Sequence, residues 1–372
     1  MIAPNCIRLE YSSKGHFVDA PTLFAMHRET GFFGAKITNE ANTVTIDTGE
    51  MHLEFRPDGQ PFSRTNLTII FQMNGTNVNW WPGQINAHNL GGAATTLDGV
   101  AKPFPLPDGL LARDGWYLLD DSGSAILTNG WIAQRPYVLP PVRRPSNKPP
   151  PPSDIDWYFF AYGTDFRWAL KTLGAISGPA AMPRKEVLGS WYCRWYPYTA
   201  DEFRQIVNEY SEHDFPLDIL VMDMDWHTQD ARTGYGHAGN LGWTGYTWNR
   251  KLIPDPEKLL NEFKDDGLFI TLNDHPADGI RDHEDSYAEF MKLLPSGTPA
   301  NPPFDAGNSN YMNAFFEASH VPLEREGVDF WWLDWQQDYI YPYVYGVPGL
   351  RHLPWLNYLY FEHSQQNGKR GQ

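Results

Sequence analysis

Cysteine is nearly absent from the 372 residues: Cys6 and Cys193 stand far apart and outside any CxxC spacing. That excludes a disulfide framework and a zinc ribbon, and two free thiols are expected. Long apolar runs are missing as well, and no stretch approaches the roughly 20 apolar residues that a membrane-spanning helix needs. The opening MIAPNCIRLEYSSKG has no basic segment followed by an apolar one, so neither a leader nor a span is expected in the chain as given. Its location is left open, cytoplasmic by default. Basic residues are outnumbered, 29 Lys and Arg against 45 Asp and Glu, and the net charge of −16 repels phosphate backbones and anionic membrane surfaces. Nucleic acid and membrane are therefore not expected partners. Neither HxH nor HExxH occurs, which argues against a barrel metallohydrolase despite the presence of His227, Asp274 and His275. No metal or cofactor is expected.

Aromatic residues are abundant at 15%, including 15 Trp and 19 Tyr. Such rings pack cores or stack on the apolar faces of sugars, and composition does not separate the two uses. The length suggests two domains. Up to about residue 182 the chain shows short alternating or apolar stretches broken by Gly, Pro, Asn and Asp, among them Thr43–Asp47, His52–Phe55, Leu67–Gln72, Trp116–Leu119, Ser124–Leu127 and Trp157–Phe160. This spacing predicts a β-sandwich over residues 1–182. The proline-rich segment Pro140–Pro152 cannot donate a regular hydrogen-bond ladder and is expected to be an extended loop within it.

From residue 183 to 372 the pattern changes to alternating strand and helix. Strands are expected at Val187–Cys193, Leu217–Met222, Leu268–Leu272 and Val328–Leu333, with helices at Asp201–His213, Pro256–Asp266 and Asn310–Glu326. The apolar strands suit a parallel sheet buried on both faces, in a barrel or a doubly wound fold. About four β/α units are visible, which predicts an incomplete TIM (β/α)8 barrel after the sandwich.

Polar residues gather just past the strand ends: Asp223, Asp225 and His227; Asn273, Asp274 and His275; Asp334, Gln336, Gln337 and Asp338. In a barrel those ends converge on one mouth. Carboxylates beside Trp, without a phosphate loop, suit glycosidic cleavage, which needs one carboxylate facing the anomeric carbon. Asp334 can be that group or can cap the turn after its strand. At most one of Asp223 and Asp225 is expected to face the mouth directly. His275 can bond a sugar hydroxyl or pack beneath the site, and Trp332 can serve core or sugar.

These segments, in this order, resemble glycoside hydrolase family 31, the family of α-glucosidases and α-xylosidases. The resemblance rests on Ile7–Tyr11, Asn89–Gly92, Leu110–Trp116, Met182–Trp195, Phe215–Asp225 and Gly327–Asp334. It implies that Asp334 is the nucleophile of a retaining double displacement on an α-linked glycoside, and that Asp223 binds hydroxyls in the −1 subsite with Asp225 as its neighbour. Asp114, next to Arg113, matches a sandwich loop that closes over that subsite, and Arg194 lies in the motif opening the barrel. A carbohydrate is the implied partner. Where many members carry Met-Asn-Glu after the nucleophile, Trp335-Gln-Gln337 follows here, so the neighbourhood is neutral amide. The family's acid/base aspartate lies two strands beyond the nucleophile, and the chain stops one helix past Asp334. The expectation is a chain truncated before its acid and inactive or nearly so alone; a noncatalytic carbohydrate-binding protein is the alternative.

Overall fold

The structure, a computed structural model, describes residues 1–29, 31–92, 101–103, 106–136, 154–228, 243–334 and 343–365. The chain divides into two compact units, Met1–Ala180 and Ala181–Gln372.

In the first unit, β1 (Cys6–Tyr11) is followed by a meander of β2 (Lys36–Glu40), β3 (Thr43–Asp47), β4 (Met51–Phe55), β5 (Leu67–Met73) and β6 (Thr76–Trp80), paired antiparallel in that order. The β5–β6 hairpin turns on Asn74-Gly75, both at positive φ. Such a two-residue turn matches the strand twist, and Asn and Gly enter that region at least cost. Next come β7 (Trp116–Asp120), the pair β8 (Ile126–Thr128) and β9 (Trp131–Ala133), and β10 (Ile155–Ala161). A second sheet has the order β1-β10-β7. Alternate residues Met51, Leu53, Leu67, Ile69 and Phe71 meet Ile7, Leu9, Trp116 and Phe159 in one core drawn from both sheets. Full burial of one such ring or aliphatic chain contributes roughly 1.5–3 kcal/mol.

The opposite parity of β1 and β10, Cys6, Tyr158 and Phe160, packs on α1 (Phe166–Ser177) through Ala169 and Ile176. This helix was not expected in the strand-like half, although its signals stand in the sequence. Asp165 caps Trp168 N–H and Gly178, at φ +86°, ends it. The expected loop at Pro140–Pro152 lies outside the described residues.

The second unit opens with β11 (Trp191–Tyr192), shorter than expected. Val187 and Leu188 fall in a 3-10 turn instead, and the Asp218 carboxylate takes Ser190 N–H at 2.7 Å. Then follow α2 (Ala200–Glu212), β12 (Ile219–Met222), α3 (Pro256–Asp265), β13 (Phe269–Asp274), α4 (Tyr287–Leu293), α5 (Ser309–Phe315), α6 (Val321–Glu326), β14 (Phe330–Leu333) and α7 (His352–Gln365). The strands pair in parallel in the order β11-β12-β13-β14. A reciprocal capping box of Thr199 and Glu202 starts α2, and Asp255 with Pro256 starts α3.

Helix 310–326 is interrupted by a π-helical turn at Phe316–His320. Pro322 lacks the N–H that an unbroken α-helix would use there, and the wider turn absorbs the fault. Even-numbered residues Leu220, Met222, Ile270 and Leu272 face α2, α3 and α6, with Phe203, Leu259, Phe263 and Leu323. The odd-numbered Ile219, Val221 and Phe269, joined across the β13–β14 register by Phe330 and Trp332, form the opposite face.

Candidate active site

The face bearing Ile219, Val221, Phe330 and Trp332 carries the polar groups at its C-terminal end. Register makes this unavoidable: Val221 lies beside Thr271, and Asn273 beside Trp332. Counting on by two from each brings Asp223, His275 and Asp334 to the same face. Asp223 directly follows β12 and caps the 3-10 turn Met224–Trp226 by accepting Met224 N–H at 2.7 Å. Its other oxygen lies 3.6 Å from Cys193 Sγ, whose thiol donates. Burial pushes Asp223 up, the Met224 N–H and the thiol pull it down, and the Asp334 charge pushes it up again; the outcome is above the usual carboxylate range. Partial burial and both carboxylates raise Cys193 to about 12, so the thiol keeps its proton.

Asp334 follows β14. Its N–H donates to the Asp274 carbonyl at 3.1 Å, which extends the β13–β14 ladder to the nucleophile candidate. Asn273 Nδ2 donates to Asp334 Oδ2 at 3.2 Å, and His275 Nε2 lies 3.3 Å from the same oxygen. Both are nearly fully buried, whereas the Asp334 side chain keeps 22% of its surface. A carboxylate gripped from below and open above has the geometry for attack on a bound ligand. The Trp243 indole meets the His275 ring edge-on at 5.6 Å and is met in turn by Trp195 at 6.3 Å. Sequence reading places Asn273 among the strand-end polar residues without a role of its own, and gives Cys193 none beyond a free thiol. The available signal for Asn273 was an amide closing an apolar strand.

Of the expected site residues, Asp223, His275 and Asp334 are thus brought together. Asp225 lies within the 3-10 turn; on a continued strand it would have shared the face of Asp223, and the turn separates the two. Trp332 is half-buried in the apolar layer beneath the site with Val187, Ile219, Val221 and Phe269. Arg194 lies over the Tyr196 ring at 5.1 Å and donates to the Tyr198 hydroxyl at 3.5 Å. Asp114 belongs to the first unit, where His88 N–H and Nδ1 approach its two oxygens at 2.9 and 2.8 Å. Residues Trp335–Asp338 lie outside the described residues. Among those described, no three His, Cys, Asp or Glu side chains form a group that could hold a metal ion, and no helix is long and apolar enough to cross a membrane.

Comparison with known proteins gives this geometry a family. Residues 180–349 match the glycosyl hydrolases family 31 TIM-barrel domain. A probable glucan 1,3-alpha-glucosidase of Arabidopsis thaliana is 27% identical over 160 residues, 40% of this chain and 15% of that protein. An alpha-xylosidase of Saccharolobus solfataricus is 24% identical over 181 residues, 48% of this chain and 22% of that one. Among solved structures, a family 31 alpha-xylosidase from a soil metagenome, complexed with xylose, superposes with a TM-score of 0.61 at 14% identity, covering 98% of this chain and 60% of its own. A mutant family 31 dextranase of Flavobacterium johnsoniae, complexed with isomaltotriose, gives 0.58 at 15% identity, covering 90% and 44%. The chain spans less than two thirds of each of these relatives. Family model, curated relatives and shared fold agree in supporting a member of glycoside hydrolase family 31, with the match to the family's own model lying in residues 180–349.

Proposed function

We propose that this chain carries the nucleophile and part of the −1 subsite of a retaining α-glycoside hydrolase acting on an α-linked glucoside or related sugar. The observation that supports it best is the convergence of Asn273 and His275 on one oxygen of Asp334, with Asp223 on the same face. Asp334 attacks the anomeric carbon as its bond to the leaving oxygen breaks, and that oxygen takes a proton from an acid. Water then attacks the same carbon while giving its proton to the conjugate base of that acid, the ester bond to Asp334 breaks, and the configuration is retained. Asp223 orients the ring through its hydroxyls, and the exposed Trp195 indole offers an apolar face beside the site. The acid is not assigned to a described residue. We read the first unit as a β-sandwich domain and the four parallel strands as the first four of a (β/α)8 barrel.

A 5-fluoro-α-glycosyl fluoride tests this reading. Such a reagent carries its own good leaving group and stalls the second displacement. Intact mass is expected to rise by one fluoroglycosyl group, located at Asp334 by peptide mapping. Labelling elsewhere, or none across glucosyl and xylosyl reagents, would overturn it.

A further inference from the structure

Asp274 closes β13 with the parity opposite to its neighbours and faces the helical layer rather than the site. It is 2% exposed, yet it is a carboxylate. The Tyr246 hydroxyl donates to Oδ1 at 2.8 Å, the Tyr360 hydroxyl of α7 donates to Oδ2 at 2.5 Å, and His320 Nε2 lies 2.9 Å from that same oxygen. His320 is supplied by the π-helical turn, and Ser319 Oγ meets its Nδ1 at 2.8 Å. Burial pushes Asp274 up, but the bonds from His320, Tyr360 and Tyr246 outweigh it and leave the carboxyl below its usual range. An anion is thus kept in the interior by donors from three separate segments. Packed apolar side chains are often no less stable in such a place, so stability alone is a weak reason for it.

Three links lead from this residue to Asp334. The Asp274 carbonyl accepts Asp334 N–H, and the residues on either side of it, Asn273 and His275, bring Nδ2 and Nε2 to Asp334 Oδ2. We propose that Asp274 is a positioning residue for the nucleophile: the grip of Tyr246, His320 and Tyr360 on its outer side fixes the end of β13, and with it the three contacts that aim Asp334. This rests on the reading of Asp334 as nucleophile. Displacing a reacting group by about 1 Å can cost on the order of 10²-fold in rate, so a grip two bonds removed from the chemistry has a measurable effect.

The test pairs Tyr360→Phe, which removes one donor and keeps the ring, with Asp274→Asn. Two signals are followed in the full chain: the rate of fluoroglycosyl labelling, and the Asn273 side-chain amide resonance, with Asp334→Ala as its reference. Tyr360→Phe is expected to slow labelling roughly 10- to 100-fold while reagent affinity changes less than about threefold, and to move the amide signal toward its Asp334→Ala position. Asp274→Asn is expected to do more of both. A merely structural clamp would lower the unfolding midpoint and leave labelling and amide signal where they were; that result in folded Tyr360→Phe overturns the proposal, even if Asp274→Asn fails to fold. If the unmodified chain is not labelled, the nucleophile reading falls, while the amide signal still decides whether Asp274 governs the Asn273–Asp334 contact.

Discussion

Asp156 in the first unit and Asp223 in the second are both carboxylates drawn out of bulk water, and their company differs in kind. Asp156, on β10, receives Arg8 at 2.9 Å, Arg28 at 2.5 Å and Arg135 at 2.7 Å, and all four side chains are largely buried. Burial pushes it up, but the bonds and charges of Arg8 and Arg28 hold it down at about 2. Asp223 receives a backbone N–H and a thiol, with a second carboxylate within electrostatic reach, and ends above its usual range. Asp156 is over-compensated and Asp223 under-compensated. A group with more positive partners than it needs holds chains together; one with fewer is poised for a ligand that supplies the rest.

The largest effect expected from this contrast is kinetic. Asp334→Ala should remove fluoroglycosyl labelling and lower any glycosidase turnover by roughly 10⁴-fold or more, the scale of losing a covalent nucleophile. Next is Asp156→Asn, expected to cost about 3–5 kcal/mol in urea unfolding, because three buried guanidinium groups lose a charge. Asp223→Asn should move stability the other way or not at all. An Asp223→Asn protein destabilised as much as Asp156→Asn would break the comparison.

pH sharpens the same point, with opposite signs. Asp156 is depressed when folded, so its contribution is full above the unfolded value near 4 and is lost as pH falls toward 2; it amounts to about 2–3 kcal/mol. Asp223 is raised when folded, so its contribution is present below the unfolded value and fades as pH rises through the folded one. Unfolding midpoints between pH 2 and 6 should therefore fall with acid in the wild type. Asp156→Asn should flatten that slope, and Asp223→Asn should steepen it slightly.

Much of the second unit was legible because strands buried on both faces write themselves as apolar runs, and the carboxylates at their ends interrupt those runs. What the runs cannot show is which face a residue takes. Asn273, Asp274 and His275 are all buried, and only the pairing of Asn273 with Trp332 assigns the outer two to the site and Asp274 to the helices. The partners of Asp274 lie 28, 46 and 86 residues away, beyond the reach of any local pattern. In the first unit the strand at Thr43–Asp47 was legible from alternation. Helix α1 was overlooked amid strand-like segments, although Asp165 and Gly178 bracket it with ordinary capping signals.

The smallest expected effect concerns Asp114, the residue whose place in the contrast is least settled by its surroundings. Burial pushes its carboxyl up, the hydrogen bonds and charge of His88 together outweigh that push and hold it below the usual range, and the imidazole is 66% exposed. Water screens such a pair, so Asp114→Asn should cost less than about 1 kcal/mol in urea unfolding. That near-silence makes the variant informative. With stability unchanged, a fall in sugar affinity measured by calorimetry would place Asp114 with Asp223 among the groups kept for substrate. Unchanged affinity would leave it a surface pair that serves the His88 loop alone.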